Sequence, residues 1–180
     1  MKFEQTTLQD AFLITLDRRG DERGWFARTF CRDTFAAQGL QTEFVQHNGS
    51  LSRTRGTLRG MHFQRGAAAE VKLLRCVTGA VIDIIIDLRP ESATYKRWEA
   101  FELSAQNARL LYVPRGFAHG FQTITEDVEM HYLVSAPYTP QAEGGVRWND
   151  PAFKLAWPLE PTVMSEKDRN WPDFAGEPVF

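Results

Sequence analysis

From Thr57 onward, apolar and polar positions alternate in short runs, and turn residues interrupt them at short intervals. The runs span roughly 58–63, 71–77, 80–88, 97–103, 110–113, 120–123 and 129–135, with Gly79, Pro90, Asn107, Pro114-Arg115-Gly116 and Pro137 between or beside them. Val81-Ile82-Asp83-Ile84-Ile85-Ile86-Asp87-Leu88 is β-branched enough to predict a strand outright. Ahead of these, the pattern predicts a strand over 11–16, a polar turn from Asp17 to Gly24 and an aromatic strand over 25–30. A short helix follows, with Asp33 as N-cap and Gly39 just past its end, and a further strand opens at Phe44. The polar 50–56 stretch reads as a loop. From Thr57 to the tail no segment has helical periodicity, which disfavours a parallel α/β fold and predicts an antiparallel sandwich, jelly roll or barrel. The tail, crowded with Trp148, Pro151, Trp157, Pro158, Pro161, Trp171 and Pro172, is expected to wrap this β structure and end in a short helix after Ser165.

Composition narrows the class. The length of 180 residues fits one domain over 1–180 with short terminal appendages. The 13 Phe and 5 Trp predict an aromatic core. With 21 basic and 23 acidic residues there is no global basic field, so no nucleic acid is expected, and an anionic ligand needs a local cluster of cations. Cys31 and Cys76 lie far apart and read as free thiols of a reducing compartment. No apolar run approaches the ~20 residues of a membrane span. The opening Met1-Lys2-Phe3-Glu4-Gln5 lacks the apolar stretch of a signal peptide. A cytoplasmic protein with no membrane contact is the expectation, with the sequon Asn48-Gly49-Ser50 a chance match.

The candidate chemistry centres on two histidines, in Arg59-Gly60-Met61-His62-Phe63-Gln64 and Pro114-Arg115-Gly116-Phe117-Ala118-His119-Gly120-Phe121. A small β-barrel places histidines in this way to point imidazoles into its own mouth, and imidazole is poised to move protons near neutral pH. The Pro-x-Gly-x-x-His spacing matches the second half-motif of the cupins. Where a metal-binding cupin has His-x-His, however, this chain has His62-Phe63-Gln64, so only His62, Glu70 and His119 remain as ligands. A neutral amide binds first-row metals poorly, so no metal is expected and acid–base work is favoured.

Asp83 falls on the strand face opposite Ile82 and Ile84, either lining a polar interior or facing solvent. Arg59 stands three residues before His62, so alternation puts the two on opposite faces unless Gly60 forms a bulge. Arg59 and Lys72 supply cations to a site or are solvated surface charges. Tyr132 is a candidate phenolic acid or a half-buried strand aromatic. Asp168, in Ser165-Glu166-Lys167-Asp168, reads by itself as the acid of a helix start.

Taken in order, these segments resemble the dTDP-4-dehydrorhamnose 3,5-epimerase family, which are RmlC-like cupins. The resemblance runs from Asp21-Glu22-Arg23-Gly24-Trp25-Phe26 and Gln46-His47-Asn48-Gly49-Ser50 through both histidine motifs, Lys72-Leu73-Leu74-Arg75, Asp87-Leu88-Arg89 and Tyr132. It closes on Arg147-Trp148-Asn149-Asp150-Pro151, Trp157-Pro158 and Ser165-Glu166-Lys167-Asp168. It implies a mainly β fold, a cupin-type jelly-roll β-barrel with short peripheral helices. It also implies metal-free, cofactor-free epimerisation at C3 and/or C5 of a nucleoside-diphospho 4-keto-6-deoxyhexose. His62 would remove the proton with Asp168 holding it, Tyr132 would reprotonate from the opposite face, and Lys72 and Arg59 would meet the enolate oxygen or the diphosphate. Arg23, Phe26, Gln46, Asn48, His119, Tyr138 and Lys167 would bind substrate, Asp83 would stand behind them, and a homodimer with crossed N-terminal strands is implied.

The chain departs from the family pattern at Arg28, where Glu is usual, at Leu133, where Lys is common, and at Glu143-Gly144-Gly145. These positions leave open an epimerase of C3 only or C5 only. A ketoisomerase, a metal-dependent cupin oxygenase and a non-catalytic sugar-binding cupin are the alternatives.

Overall fold

The computed structural model describes residues 1–176. In chain order the elements are β1 (Lys2–Gln5), β2 (Phe12–Thr15), a hairpin of β3 (Arg19–Asp21) and β4 (Gly24–Phe26), helix α1 (Arg32–Ala37) and β5 (Gln46–Ser52). Then come β6 (Leu58–Gln64), β7 (Lys72–Thr78), β8 (Ala80–Asp87), β9 (Trp98–Ser104), β10 (Leu110–Val113), β11 (Phe117–Thr123), β12 (Val128–Val134), β13 (Glu143–Gly145) and α2 (Glu166–Arg169). Two antiparallel sheets hold most of them, ordered β1-β2-β10-β7-β12-β5 and β13-β6-β11-β8-β9. The fold is mainly β and jelly-roll-like with short peripheral helices, as expected, although the two sheets do not close into one barrel.

Period-2 alternation gives each sheet two buried faces and the molecule three apolar layers. Leu74, Val81, Ile85, Leu111, Phe121 and Met130 fill the space between the sheets. Ile84, Ile86, Met61 and Ala118 point out of the smaller sheet, where tail residues Val146, Phe153, Leu155 and Trp157 cover them. Ile14, Leu73 and Leu110 point out of the larger sheet, under Phe35 of α1 and Phe30. Fully burying side chains of this size is worth about 1.5–3 kcal/mol each, which explains why neither outer face is left bare.

The tail wraps the smaller sheet as its composition predicted, and polar contacts pin it. The Gln122 side chain donates to the Leu159 carbonyl at 2.8 Å and accepts the Leu159 N–H at 3.0 Å. Leu58 N–H donates to the Val163 carbonyl, which seats residues 162–164 beside the start of β6.

Several local expectations are corrected. The expected 50–56 loop is strand as far as Ser52, because β5 is a polar sheet edge whose composition resembles a loop. The 25–30 strand is only Gly24–Phe26, since Ala27 and Phe30 leave the hairpin to pack on the larger sheet. The N-cap of α1 is Cys31, and Asp33 lies in the first turn. The short β1 and β13 carried no alternation long enough to read.

Candidate active site

Both histidines stand in strands and face each other across one pair: His62 of β6 is the register partner of His119 of β11. The next partners are Arg59 and Phe121, so three steps on β6 match two on β11. That extra residue is the bulge anticipated at Gly60, and it turns Arg59 and His62 onto the same face. Glycine is needed on both strands here. A Cβ at Gly60, whose φ is +132°, would lie 2.5 Å from the Gly120 Cα, and one at Gly120 would lie 2.6 Å from the Met61 sulfur.

The face so formed lines a cavity of about 510 Å³ between the sheets. Its polar wall carries Arg59, His62, Lys72, His119, Tyr132 and Asp168; Leu58, Leu74, Phe121 and Met130 supply the apolar part. His62, Lys72, Tyr132 and Glu143 also border an adjoining cavity of about 410 Å³ that continues to Gln46, Asn48, Gln64, Glu70 and Tyr138. Because β6 and β12 belong to different sheets, His62 and Tyr132 occupy opposite walls.

His62 and Asp168 are 106 residues apart in sequence, yet Nε2 donates to Oδ1 at 2.6 Å. The seating of residues 162–164 along β6 brings α2 to this point. Ser165 caps α2 by accepting the Asp168 N–H at 3.1 Å, which frees the Asp168 carboxylate to reach β6. The helix-start signature and the site role therefore coexist. Burial pushes the Asp168 pKa up. The hydrogen bond and charge of His62, the Gly60 N–H and the Ser165 hydroxyl outweigh it and hold the carboxyl below its ordinary range. With Nε2 protonated toward Asp168, Nδ1 is the basic nitrogen of His62.

The second pair is His119 Nε2 with Asp83 Oδ2 at 2.9 Å. Asp83 is wholly buried, which excludes the solvent-facing alternative, and its Oδ1 has no hydrogen-bond partner. Burial drives its pKa up, against the weaker opposing effects of His119 and Lys72.

The Arg59 guanidinium is fixed by Ser52 Oγ at 3.0 Å and the Leu51 carbonyl at 3.1 Å. Lys72 is mostly buried and ion-paired with Glu70 at 3.3 Å, so it is no surface charge, whereas Arg59 is exposed but tied back to the edge strand beside the cavity. Burial raises the Tyr132 pKa and the charge of Glu70 raises it further, while Arg59 opposes both. At the mouth, Glu143 accepts the Tyr138 hydroxyl at 2.7 Å and the Lys167 ammonium. Gln46 accepts the Tyr138 N–H at 2.9 Å, and Asn48 lies two residues along the same edge strand. Among the described residues no group of three or more His, Cys, Asp or Glu is arranged to hold a metal ion, and His62, Glu70 and His119 are each engaged elsewhere.

Arg23 and Phe26 are not brought to this cavity. They sit on the exposed β3–β4 hairpin, with Arg23 paired to Asp21 and Phe26 at 69% exposure. Glu143, which the sequence marks only as a departure from the family pattern, borders both cavities, and Trp171 of the wrapping tail packs beside His62. Trp171 packs so closely on Gly145 that a Cβ there would fall 2.2 Å from its ring, and its centroid lies 6.4 Å from that of His62. The adjacent glycines at 144 and 145 were the available signal of a close approach.

Comparison with known proteins shows what the chain as a whole is similar to. The family model described as dTDP-4-dehydrorhamnose 3,5-epimerase matches residues 5–176. The chain is 40% identical to the dTDP-4-dehydrorhamnose 3,5-epimerase of Methanothermobacter thermautotrophicus, over 99% of this chain and 97% of that one. It is similar to the solved dTDP-4-dehydrorhamnose 3,5-epimerase of Bacillus anthracis with TDP and PPi bound, at TM-score 0.93 and 39% identity, covering 96% of this chain and 99% of that one. It is also similar to the solved dTDP-6-deoxy-D-glucose-3,5-epimerase of Legionella pneumophila in complex with dTDP-4-keto-L-rhamnose. There the TM-score is 0.88 and the identity 33%, with 93% of this chain and 89% of that one covered.

Proposed function

This chain belongs to the dTDP-4-dehydrorhamnose 3,5-epimerase family and is an isomerase, and we propose that it inverts C3 and C5 of a dTDP-4-keto-6-deoxyhexose through an enolate. The observation that carries the proposal is one cavity with an Asp-held imidazole on one wall and a phenol on the other. The C4 ketone acidifies the hydrogens at C3 and C5. His62 Nδ1 takes the proton, and Asp168 stabilises the imidazolium that results. Negative charge then develops on the C4 oxygen. Lys72 and Arg59 are the fixed donors near it, and loss of one such donor typically costs ~10²–10³ in rate. Tyr132, kept protonated by its burial, returns a proton from the opposite face. A single base would restore the starting configuration; two walls invert it.

In this reading the sugar occupies the larger cavity and His119 contacts it, with Asp83 behind. The nucleoside diphosphate runs along Gln46 and Asn48 toward Tyr138, and Lys167 exchanges Glu143 for a substrate oxygen. Arg23 and Phe26 act in a second copy of the chain: an exposed guanidinium suits diphosphate and an exposed ring suits a base. The protein works as a homodimer in the cytoplasm. No helix among the described residues is long and apolar enough to cross a membrane.

The test is incubation with dTDP-4-keto-6-deoxyglucose in D₂O, followed by NMR. Carbon-bound deuterium at C3 and C5 of an inverted product, with the carbonyl still at C4, is expected. Deuterium at one carbon identifies a single-centre epimerase, and carbonyl migration identifies a ketoisomerase.

A further inference from the structure

Glu70 is the one carboxylate of the adjoining cavity that the mechanism above leaves idle. It follows the single-turn helix Gly66–Ala68 and stands two residues before Lys72, the first residue of β7. Its side chain and that of Lys72 are about equally buried, at 11% and 12% exposure, and Oε1 lies 3.3 Å from the ammonium. The other oxygen, Oε2, accepts from Gln64 Nε2 at 3.0 Å. Gln64 is itself buried and fully engaged: its amide nitrogen also reaches the Pro137 carbonyl at 3.2 Å, and its oxygen accepts the Thr139 N–H at 2.6 Å. A chain of contacts therefore runs from Lys72 through Glu70 and Gln64 to both sides of Tyr138.

We propose that Glu70 is a positioning residue for the proton transfer, fixing the Lys72 ammonium at the boundary of the two cavities and joining it to the loop that carries Tyr138. The role rests on the epimerase reading above. An ammonium buried this far is costly to keep charged without a partner, and a flexible lysine stem needs an anchor if its charge is to meet an oxygen at a fixed place. Glu70 supplies both the charge and the anchor. It also faces the cavity bordered by Tyr132, where a negative charge disfavours the phenolate and keeps the acid loaded. The remaining charges around Lys72 and Tyr132 come from separate elements: Arg59 and His62 from β6, Asp83 from β8, His119 from β11 and Glu143 from β13. Lys167 and Asp168 of α2 line the larger cavity as well, and His47, Arg75 and His131 border a third cavity that Tyr132 also lines. Replacing Glu70 leaves all of these in the chain.

The decisive variant is Glu70→Gln, which keeps size and one acceptor oxygen but removes the charge and turns the other oxygen into a donor. Its kcat at neutral pH should fall about threefold to tenfold with KM within about threefold, the signature of an interaction realised mainly in the transition state. The alkaline limb of its kcat profile should move to lower pH, and Glu70→Asp should bring that limb back. A second readout needs no turnover: the ultraviolet titration of Tyr132, isolated by subtracting the Tyr132→Phe protein, should show phenolate at lower pH in Glu70→Gln than in wild type. A wild-type alkaline limb together with a wild-type phenolate titration would overturn the proposal. So would lost activity that accompanies lost melting temperature and is not restored by Glu70→Asp. If the wild-type protein failed to epimerise the sugar nucleotide, the functional reading would fall, and the phenolate titration would still decide whether Glu70 sets the charge at this boundary.

Discussion

Two His–Asp pairs face one another on neighbouring strands, built from the same residue types, and they are not equivalent. Asp168 arrives from a distant helix, accepts from His62 and the Gly60 N–H, and is held ionised. Asp83 belongs to the same sheet as its histidine, is sealed from solvent and has one oxygen without a partner, so its environment favours the neutral acid. The His62 side chain is 32% exposed, open to a substrate, against 9% for His119. Environment separates the two carboxyls, and in the function proposed above the separation divides the work: a carboxylate held toward ionisation behind the base, a buried carboxyl held toward neutrality behind a histidine that orients.

Substitutions break this contrast in a graded order. His62→Ala should lower deuterium incorporation at both carbons by about 10²–10⁴, the usual cost of losing a general base, with little change in melting temperature. Asp168→Asn removes the charge behind the base while keeping its shape, and should cost about 10²-fold or more in kcat. Asp83→Asn replaces a carboxyl already biased toward neutrality and should cost no more than about tenfold. Steady-state kinetics on the three purified variants establish the ranking, and equal losses for the two Asp→Asn proteins would dissolve the distinction.

The smallest effect is on stability, and its sign differs between the pairs. The Asp168 pKa is depressed in the folded state, so its contribution is fully present above the unfolded value and is lost as pH falls through the lower folded one. The melting difference between wild type and Asp168→Asn should therefore shrink as pH falls below the ordinary 3.8 of the unfolded carboxyl. The Asp83 pKa is raised, so ionising it weakens the folded state as pH rises from the ordinary 3.8 toward the higher folded value. Wild type should accordingly lose stability relative to Asp83→Asn across that window, as melting curves at stepped pH would record.

Much of this was legible in the chain. The β-branched run 81–88 predicts β8 nearly to the residue, and its alternation puts Asp83 opposite Ile82 and Ile84 without telling the interior from the solvent side. The Gly60 bulge could be anticipated because Arg59 and His62 cannot otherwise share a face. What stayed hidden depends on contacts between distant segments. Nothing near Asp168 announces His62, because Ser165-x-x-Asp168 is complete as a helix start; only the resemblance paired them. Edge strands such as β5 and β13 are polar or glycine-rich for reasons of sheet edges and close packing, and those features imitate loops. The ionisation of Asp83 and Asp168 depends on burial and partners that no spacing encodes.

The account rests on protons handled from two walls, and Tyr132→Phe tests that most directly. The substitution keeps the ring and its packing and removes one hydroxyl. His62 and Asp168 remain intact, so the base still withdraws a proton and returns one to the same side. With dTDP-4-keto-6-deoxyglucose in D₂O, NMR should find deuterium in recovered substrate and no inverted product, with the melting curve unchanged. Normal formation of the inverted sugar by Tyr132→Phe would contradict the two-wall mechanism.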